Sequence, residues 1–277
     1  MDKFTFYKYS GQGNDFVIVD NWDGQVPEKD MGRITKLICR PKFGIGADGA
    51  VYIIPGPDEV DFAWRFFNSD GSEADMCGNA SRCTAHLAAA LGIAPMEMSF
   101  KTKAGVVEAV VNERQVKVQM PKVSRPEGAA LVEVEGLSLT YHRLNTGVPH
   151  AVAWVEDLDS INVFKVGRAV RRHPAFAPEG TNVNFAKILG PDKLALRTYE
   201  RGVEDETLAC GTGAAAAAML ALAQNLVSGR SISCQTRGGD DLVISYEGSP
   251  EAPEQVFMEG PVRFLFSGQV EPDLFLK

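Results

Sequence analysis

The sequence predicts an α/β protein made of two similar halves, and three observations carry that expectation. Cys77 and Cys210 each stand directly before a glycine and an alanine- and leucine-rich run without proline, a composition that favours helix. Each of these helix starts follows an apolar, strand-like stretch and a polar turn, and is followed by alternating β-type stretches. The interval from an opening glycine to the cysteine is nearly constant: Gly13 to Cys77 and Gly147 to Cys210 differ by one residue.

The elements follow in order. The first copy opens on Gly13-Asn14-Asp15 and an apolar strand, Phe16 to Val19. A second apolar run, Ala50 to Ile54, ends at Pro55 and reads as a strand. Phe62 to Phe67 is a third, closed by the polar turn Asn68 to Glu73. The helix after Cys77 runs through Leu91, and β-type alternation covers Val106 to Met120. Pro121 to Gly128 reads as a linker. The second copy repeats the plan with a strand at Pro149 to Val155 and another at Leu194 to Tyr199. A turn at Glu200 to Glu206, the helix after Cys210, and alternation over Leu242 to Phe266 with a break at 248–255 complete it. The expected domains are 1–122, carrying Cys77, and 123–266, carrying Cys210, with a cleft between them. Strand 267–277 is expected to return to the first.

Composition narrows the function classes. The chain has 277 residues, enough for two cores. Its net charge of −8 argues against nucleic acid or an anionic membrane as the main partner. The N-terminal residues lack the apolar core of a signal peptide, and the most apolar run, Ala214 to Ala223, is half a membrane span. Five cysteines without an export signal fit reduced thiols in a cytoplasm.

Gly44-Ile45-Gly46-Ala47-Asp48-Gly49 has the letters of a dinucleotide fingerprint, but it precedes a strand where that motif opens a helix. A loop shaping a pocket wall is the reading kept. Cys83 and His86 form a Cys-x-x-His pair without a matching second pair, so no metal site is expected. Cys39 and Cys234 lack a glycine-rich helix start and read as packing residues.

The two remaining thiols carry the chemistry. A helix N-terminus offers free N–H groups and positive potential, which ease ionisation of a cysteine there. A hydrolase with one cysteine as nucleophile and His150 as base would leave the second thiol idle. Two opposed acid/base thiols suit inversion of an α-carbon: one removes the proton, the other delivers one to the opposite face. Such a site must exclude water and hold the carboxylate with fixed donors. No lysine lies in a recognisable cofactor motif, so nothing in the sequence requires pyridoxal phosphate.

At these residues the sequence resembles the diaminopimelate epimerase family. The motifs are Gly13-Asn14-Asp15-Phe16, Gly44 to Gly49, Phe67-Asn68-Ser69-Asp70-Gly71-Ser72, Met76-Cys77-Gly78-Asn79, Pro149-His150, Asn182-Val183-Asn184-Phe185, Glu200-Arg201-Gly202 and Glu206 to Gly213. The resemblance implies two domains, each a curved sheet around a central helix, and cofactor-independent interconversion of LL- and meso-diaminopimelate. It implies Cys77 and Cys210 as the acid/base pair and His150 and Glu200 as residues tuning their pKa values. Gly78, Asn79, Gly211 and Thr212 would hold the reacting carboxylate, and Asn14, Asn68, Asn182, Arg201 and Glu200 the substrate's other polar groups. It also implies a homodimer. Ala80 stands where the family usually has a second glycine, Val148 replaces a frequent substrate-contacting asparagine, and the Glu200 to Cys210 stretch is one residue longer than its commonest form. The alternatives are a proline or hydroxyproline racemase, whose pocket would be apolar at the far end, and an amino-acid-binding protein without turnover, which would need neither thiol.

Overall fold

The computed structural model describes residues 3–271 and 274. The chain divides into two compact units, Met1–Val118 with Gly260–Lys277, and Gln119–Glu259. The first unit contains β1 (Phe4–Gly11), β2 (Asn14–Asp20), α1 (Glu28–Ile38), β3 (Gly49–Ile54), β4 (Phe62–Asn68), β5 (Glu73–Ala74), α2 (Gly78–Leu91), β6 (Glu97–Thr102), β7 (Gly105–Asn112) and β8 (Gln115–Gln119). The second contains β9 (Ala129–Val134), β10 (Leu137–Asn145), β11 (Pro149–Trp154), α3 (Val163–Arg171), β12 (Asn182–Gly190), β13 (Lys193–Glu200), β14 (Asp205–Thr207), α4 (Gly211–Ala223), β15 (Ser231–Gln235), β16 (Asp241–Ser249) and β17 (Ala252–Pro261). A last strand, β18 (Arg263–Val270), belongs to the first unit.

Strand pairing repeats between the units. In the first, β1 pairs antiparallel with β2, β2 parallel with β3, β3 antiparallel with β4, and β4 with both β5 and, in parallel, β6. In the second, β10, β11, β12, β13, β14 and β15 pair in the same order and sense. The hairpins β6–β7 and β7–β8 answer to β15–β16 and β16–β17. Outside β10 lies β9, and outside β1 lies β18, from Phe4↔Val270 to Ser10↔Arg263.

That pairing moves the boundaries. The expected division at 122/123 and 266/267 falls instead at 118/119 and 259/260. Val256 O accepts from Met120 N and so ties the chain to the second unit just past 118, while all of β18 bonds to β1. Of the returning segment expected at 267–277, residues 267–270 lie in β18, and 272, 273 and 275–277 fall outside the described residues. The break expected at 248–255 shrinks to the two-residue hairpin turn between β16 and β17.

Helices cover both faces of each sheet, so the central strands are apolar throughout. In β2, Phe16, Val17, Ile18 and Val19 are all buried. Val17 and Val19 form one core with Met31, Ile34 and Ile38 of amphipathic α1. The other face receives α2, which touches β1, β2, β3 and β7. In the second unit α3 packs Val163, Val166 and Val170 on Ala151, Ala153, Val183 and Phe185. There α4 is buried from Gly213 to Leu222 and touches β10, β11, β12, β13, β15 and β16. A helix apolar on every side can only be a core element. Alanine is what lets a sheet close around it. Among the described residues no helix is long and apolar enough to cross a membrane.

Candidate active site

In the first unit Cys77 is the residue that opens α2, in extended conformation (φ −142°, ψ 122°). The first helical bond runs from Ser81 N to Cys77 O at 2.8 Å, so the N–H groups of residues 78–80 have no acceptor within the helix. Cys77 is partly exposed. Asn79 is the second residue of the helix, and its Nδ2 donates to Asn14 Oδ1 at 3.3 Å. Asn14 sits where the two-residue turn Gln12-Gly13 delivers the chain into β2; both turn residues have positive φ (57° and 85°), the hairpin geometry that matches strand twist. Asn68 is spent differently. Its Nδ2 donates to Ser72 Oγ at 3.1 Å and its backbone closes the same turn.

In the second unit Cys210 opens α4 in similar fashion (φ −119°, ψ 107°), with the first helical bond from Ala214 N at 2.9 Å. Its surroundings differ. Cys210 is buried, and Thr212 Oγ1 lies 3.4 Å from its Sγ. Burial pushes the thiol well above the usual cysteine range, and the Glu200 carboxylate pushes the same way. The Thr212 hydroxyl and the Gly213 N–H pull it down, but more weakly. The easier ionisation expected of a helix-start thiol therefore does not hold at Cys210, because desolvation outweighs the dipole. Glu200 is fixed by Thr207, whose hydroxyl donates to Oε1 at 2.6 Å.

His150 is 1% exposed, and burial first, then the Arg201 charge, pulls its pKa down to about 3. The ring is neutral, and its tautomer follows from its neighbours. Asn184 Nδ2 donates to Ala151 O and faces His150 Nδ1, each at 3.1 Å, while Asn184 Oδ1 accepts from Thr198 Oγ1 at 2.9 Å. Nδ1 is thus the acceptor and Nε2 carries the hydrogen. Nε2 is buried without a hydrogen-bond partner among the described residues. Asn182 Oδ1 accepts from Arg201 N at 2.8 Å, its Nδ2 donates to Pro149 O at 3.2 Å, and Arg201 Nη1 donates to Glu179 O at 3.3 Å.

The structure thus groups Cys77, Gly78, Asn79 and Asn14 in one unit and Cys210, Gly211, Thr212 and Glu200, with Asn182, Arg201 and His150, in the other. Sequence reading assigned no role to Asn184, although the alternation Asn182-Val183-Asn184 places both asparagines on one strand face. The longer stretch before Cys210 is pinned rather than loose. Glu204, at φ 60°, accepts from Arg171 Nε at 3.0 Å and Tyr199 OH at 3.2 Å, and Arg197 grips Glu206 with two bonds of 2.7 and 2.8 Å.

Comparison with known proteins agrees in family and fold. A family model described as diaminopimelate epimerase matches residues 6–126 and 143–265. A diaminopimelate epimerase of Aquifex aeolicus is 44% identical over 97% of this chain and 98% of its own length. One of Methanothrix thermoacetophila is 39% identical over 99% and 98%. Among solved structures, a PhzF-family phenazine biosynthesis protein of Bacillus anthracis superposes with TM-score 0.74 at 16% identity, covering 98% of this chain and 99% of that one. A hydroxyproline epimerase of Agrobacterium vitis gives 0.74 at 17%, covering 98% and 93%. At such identities these two speak for the fold alone.

Proposed function

Since this chain belongs to the diaminopimelate epimerase family, we propose that Cys77 and Cys210 are its two acid/base thiols, acting on opposite faces of one α-carbon. The protein is an isomerase, a diaminopimelate epimerase, as the family and the curated relatives indicate. The observation that carries the thiol assignment is the repeat itself: each unit presents one cysteine at the start of its buried helix, in the same backbone conformation.

The two thiols begin in different roles. Cys210, kept protonated by burial and Glu200, is the donor, and Cys77 as thiolate removes the α-proton. After one turnover the proton inventory is exchanged: Cys77 is the thiol, Cys210 the thiolate, and the α-carbon is inverted. N–H groups at the two helix starts, from Gly78, Asn79, Gly211 and Thr212, stabilise the carboxylate as charge spreads onto it during deprotonation. Neutral His150 contributes an Nε2–H donor, which favours an anionic neighbour without a proton transfer of its own. Arg201, Asn182, Asn14, Asn68 and Glu200 bind the remaining polar groups of the substrate. No cofactor enters this scheme.

Incubation with LL-diaminopimelate in D2O tests the reading. The reduced protein should give meso product carrying α-deuterium; absence of both product and exchange would overturn it. We place the reaction in the cytoplasm, in keeping with a scheme that needs both thiols reduced. We also propose a homodimer, because Phe264, Leu265 and Phe266 lie consecutively exposed on β18. Leu265→Asp should then yield monomers in sedimentation, and an unchanged mass, or a monomeric native protein, would remove the dimer.

A further inference from the structure

A hydrogen-bonded relay in the first unit runs through two candidate substrate residues, Asn79 and Asn14, and the two-thiol scheme gives no role to the residues that flank them, Arg82 and Asp48. It begins at Arg82, which has no exposed surface although it carries a full charge. Its Nη2 donates to Asn79 Oδ1 at 2.5 Å and to Gln12 Oε1 at 2.9 Å. Asn79 Nδ2 donates to Asn14 Oδ1, and Asn14 Nδ2 donates to Asp48 Oδ2 at 2.5 Å. Asp48 is itself locked to Asp15: Oδ2 accepts from Asp15 N at 3.0 Å, and Asp48 N donates to Asp15 Oδ1 at 3.1 Å. Asp15 ends the relay on Lys8, 2.8 Å away and nearly as buried as Arg82.

The chemistry of the ends dictates the middle. A guanidinium can only donate, and an ionised carboxylate can only accept. With a donor at one end and an acceptor at the other, each amide between has one orientation that satisfies both neighbours. Burying a charged arginine is costly unless its partners are fixed, so the relay is held at the expensive end as well. Gln12, in the β1–β2 turn, is bonded to the same guanidinium, which ties the turn that delivers Asn14 to the helix that presents Asn79. Asn14 is half-exposed. With one lone pair of its oxygen facing Asn79 and one hydrogen given to Asp48, Asn14 keeps a second N–H, held in a fixed orientation, and that N–H is its remaining donor.

We propose that Arg82 and Asp48 are positioning residues that fix the orientation of the Asn79 and Asn14 amides, so that the remaining Asn14 N–H is presented to a carboxylate oxygen of the substrate. The proposal rests on the epimerase reading and adds to it a pair of residues that touch no substrate. Asp48 is exposed, so it can be changed with little risk to folding, and Asp48→Ser stands in should Asp48→Ala lower the melting temperature.

The test is steady-state epimerisation of LL-diaminopimelate by four proteins whose melting temperatures agree: wild type, Asp48→Ala, Asn14→Ala and the double variant. Asp48→Ala should raise KM about tenfold with kcat within about twofold, as loss of uniform binding does. Asp48→Asn, which can still accept through its amide oxygen, should restore KM to within about threefold of wild type. In the Asn14→Ala background, Asp48→Ala should add nothing, since a residue acting through Asn14 loses its effect with it. An unchanged KM in Asp48→Ala, or additive losses in the double variant, would overturn the positioning role. A wild-type protein that neither epimerises nor exchanges would instead overturn the epimerase reading, so the two failures are distinct.

Discussion

The two helix starts share a backbone and differ in almost everything around it. Cys77 and Cys210 both open buried helices in extended conformation, yet Cys77 is partly exposed and Cys210 is sealed beside Glu200 and Thr212. Behind the first lies an ionic relay ending on Arg82 and Lys8; behind the second lies a neutral cluster of His150, Asn184 and Thr198. The third residue after the cysteine differs too, Ala80 against Gly213. The duplicated fold supplies the backbone placement of the two thiols, and the shell around the second pushes the Cys210 thiol up through burial and Glu200. That asymmetry is the basis of the proposed split between donor and acceptor.

The largest effects should come from the thiols. Cys77→Ala and Cys210→Ala should each slow racemisation by about 10²- to 10⁴-fold, the usual share of a general acid or base. If the roles are split as proposed, each variant keeps α-proton exchange with only one stereoisomer, the one whose proton faces the surviving thiol. Mass spectrometry of each isomer in D2O reads this, and near-wild-type turnover by either variant would break the two-base comparison.

The third residue after each cysteine offers the next contrast. A Cβ at Gly213 would run into Asn184 Oδ1 and sit 3.3 Å from Cys210 Sγ, so Gly213→Ala should destabilise by about 1–3 kcal/mol and depress kcat. The reciprocal change, Ala80→Gly, relieves no clash and should cost only about 0.5–1 kcal/mol, the usual helix price of glycine. Urea melts of both variants measure this; equal costs would mean that the two starts are packed alike.

His150 supplies a smaller and more gradual signature confined to the second unit. Its folded pKa near 3 lies below the unfolded value of about 6.5. Between those values the unfolded chain binds a proton that the folded chain refuses, so stability falls as pH drops, by about 1.4 kcal/mol per unit at most. His150→Gln should flatten the pH dependence of the melt from pH 6.5 to 5 relative to wild type. An unchanged slope would mean that His150 is not the buried neutral group described above.

Sequence reading reached the duplicated plan, both cysteine helices and most strands because each rests on local pattern: alanine runs, apolar alternation, and Gly-Asp turns. It misplaced the domain edges because β18 is assigned by a partner at the opposite end of the chain, which no local window contains. It expected an acidic thiol at Cys210 because the helix start is local, whereas the burial that reverses it is tertiary. Arg82, Asp48 and Asn184 went unassigned for a related reason. Each stands inside a recognisable motif, but its partners come from other elements, and only the fold shows that Arg82 is buried beside Asn79 and Gln12.

The strand that closes the first unit, β18, is the last of the described strands along the chain. Phe4 pairs with Val270, so at ordinary elongation rates of ~5–20 residues per second β1 waits tens of seconds for its outer neighbour. The second unit, contiguous from 119 to 259, has every strand it needs before then. During that interval β1 is an open edge, the kind of surface that invites pairing with another chain. The order of birth on the ribosome is therefore inverted in the order of completion, and a nascent chain cut short near residue 260 would carry a finished second unit and an unfinished first.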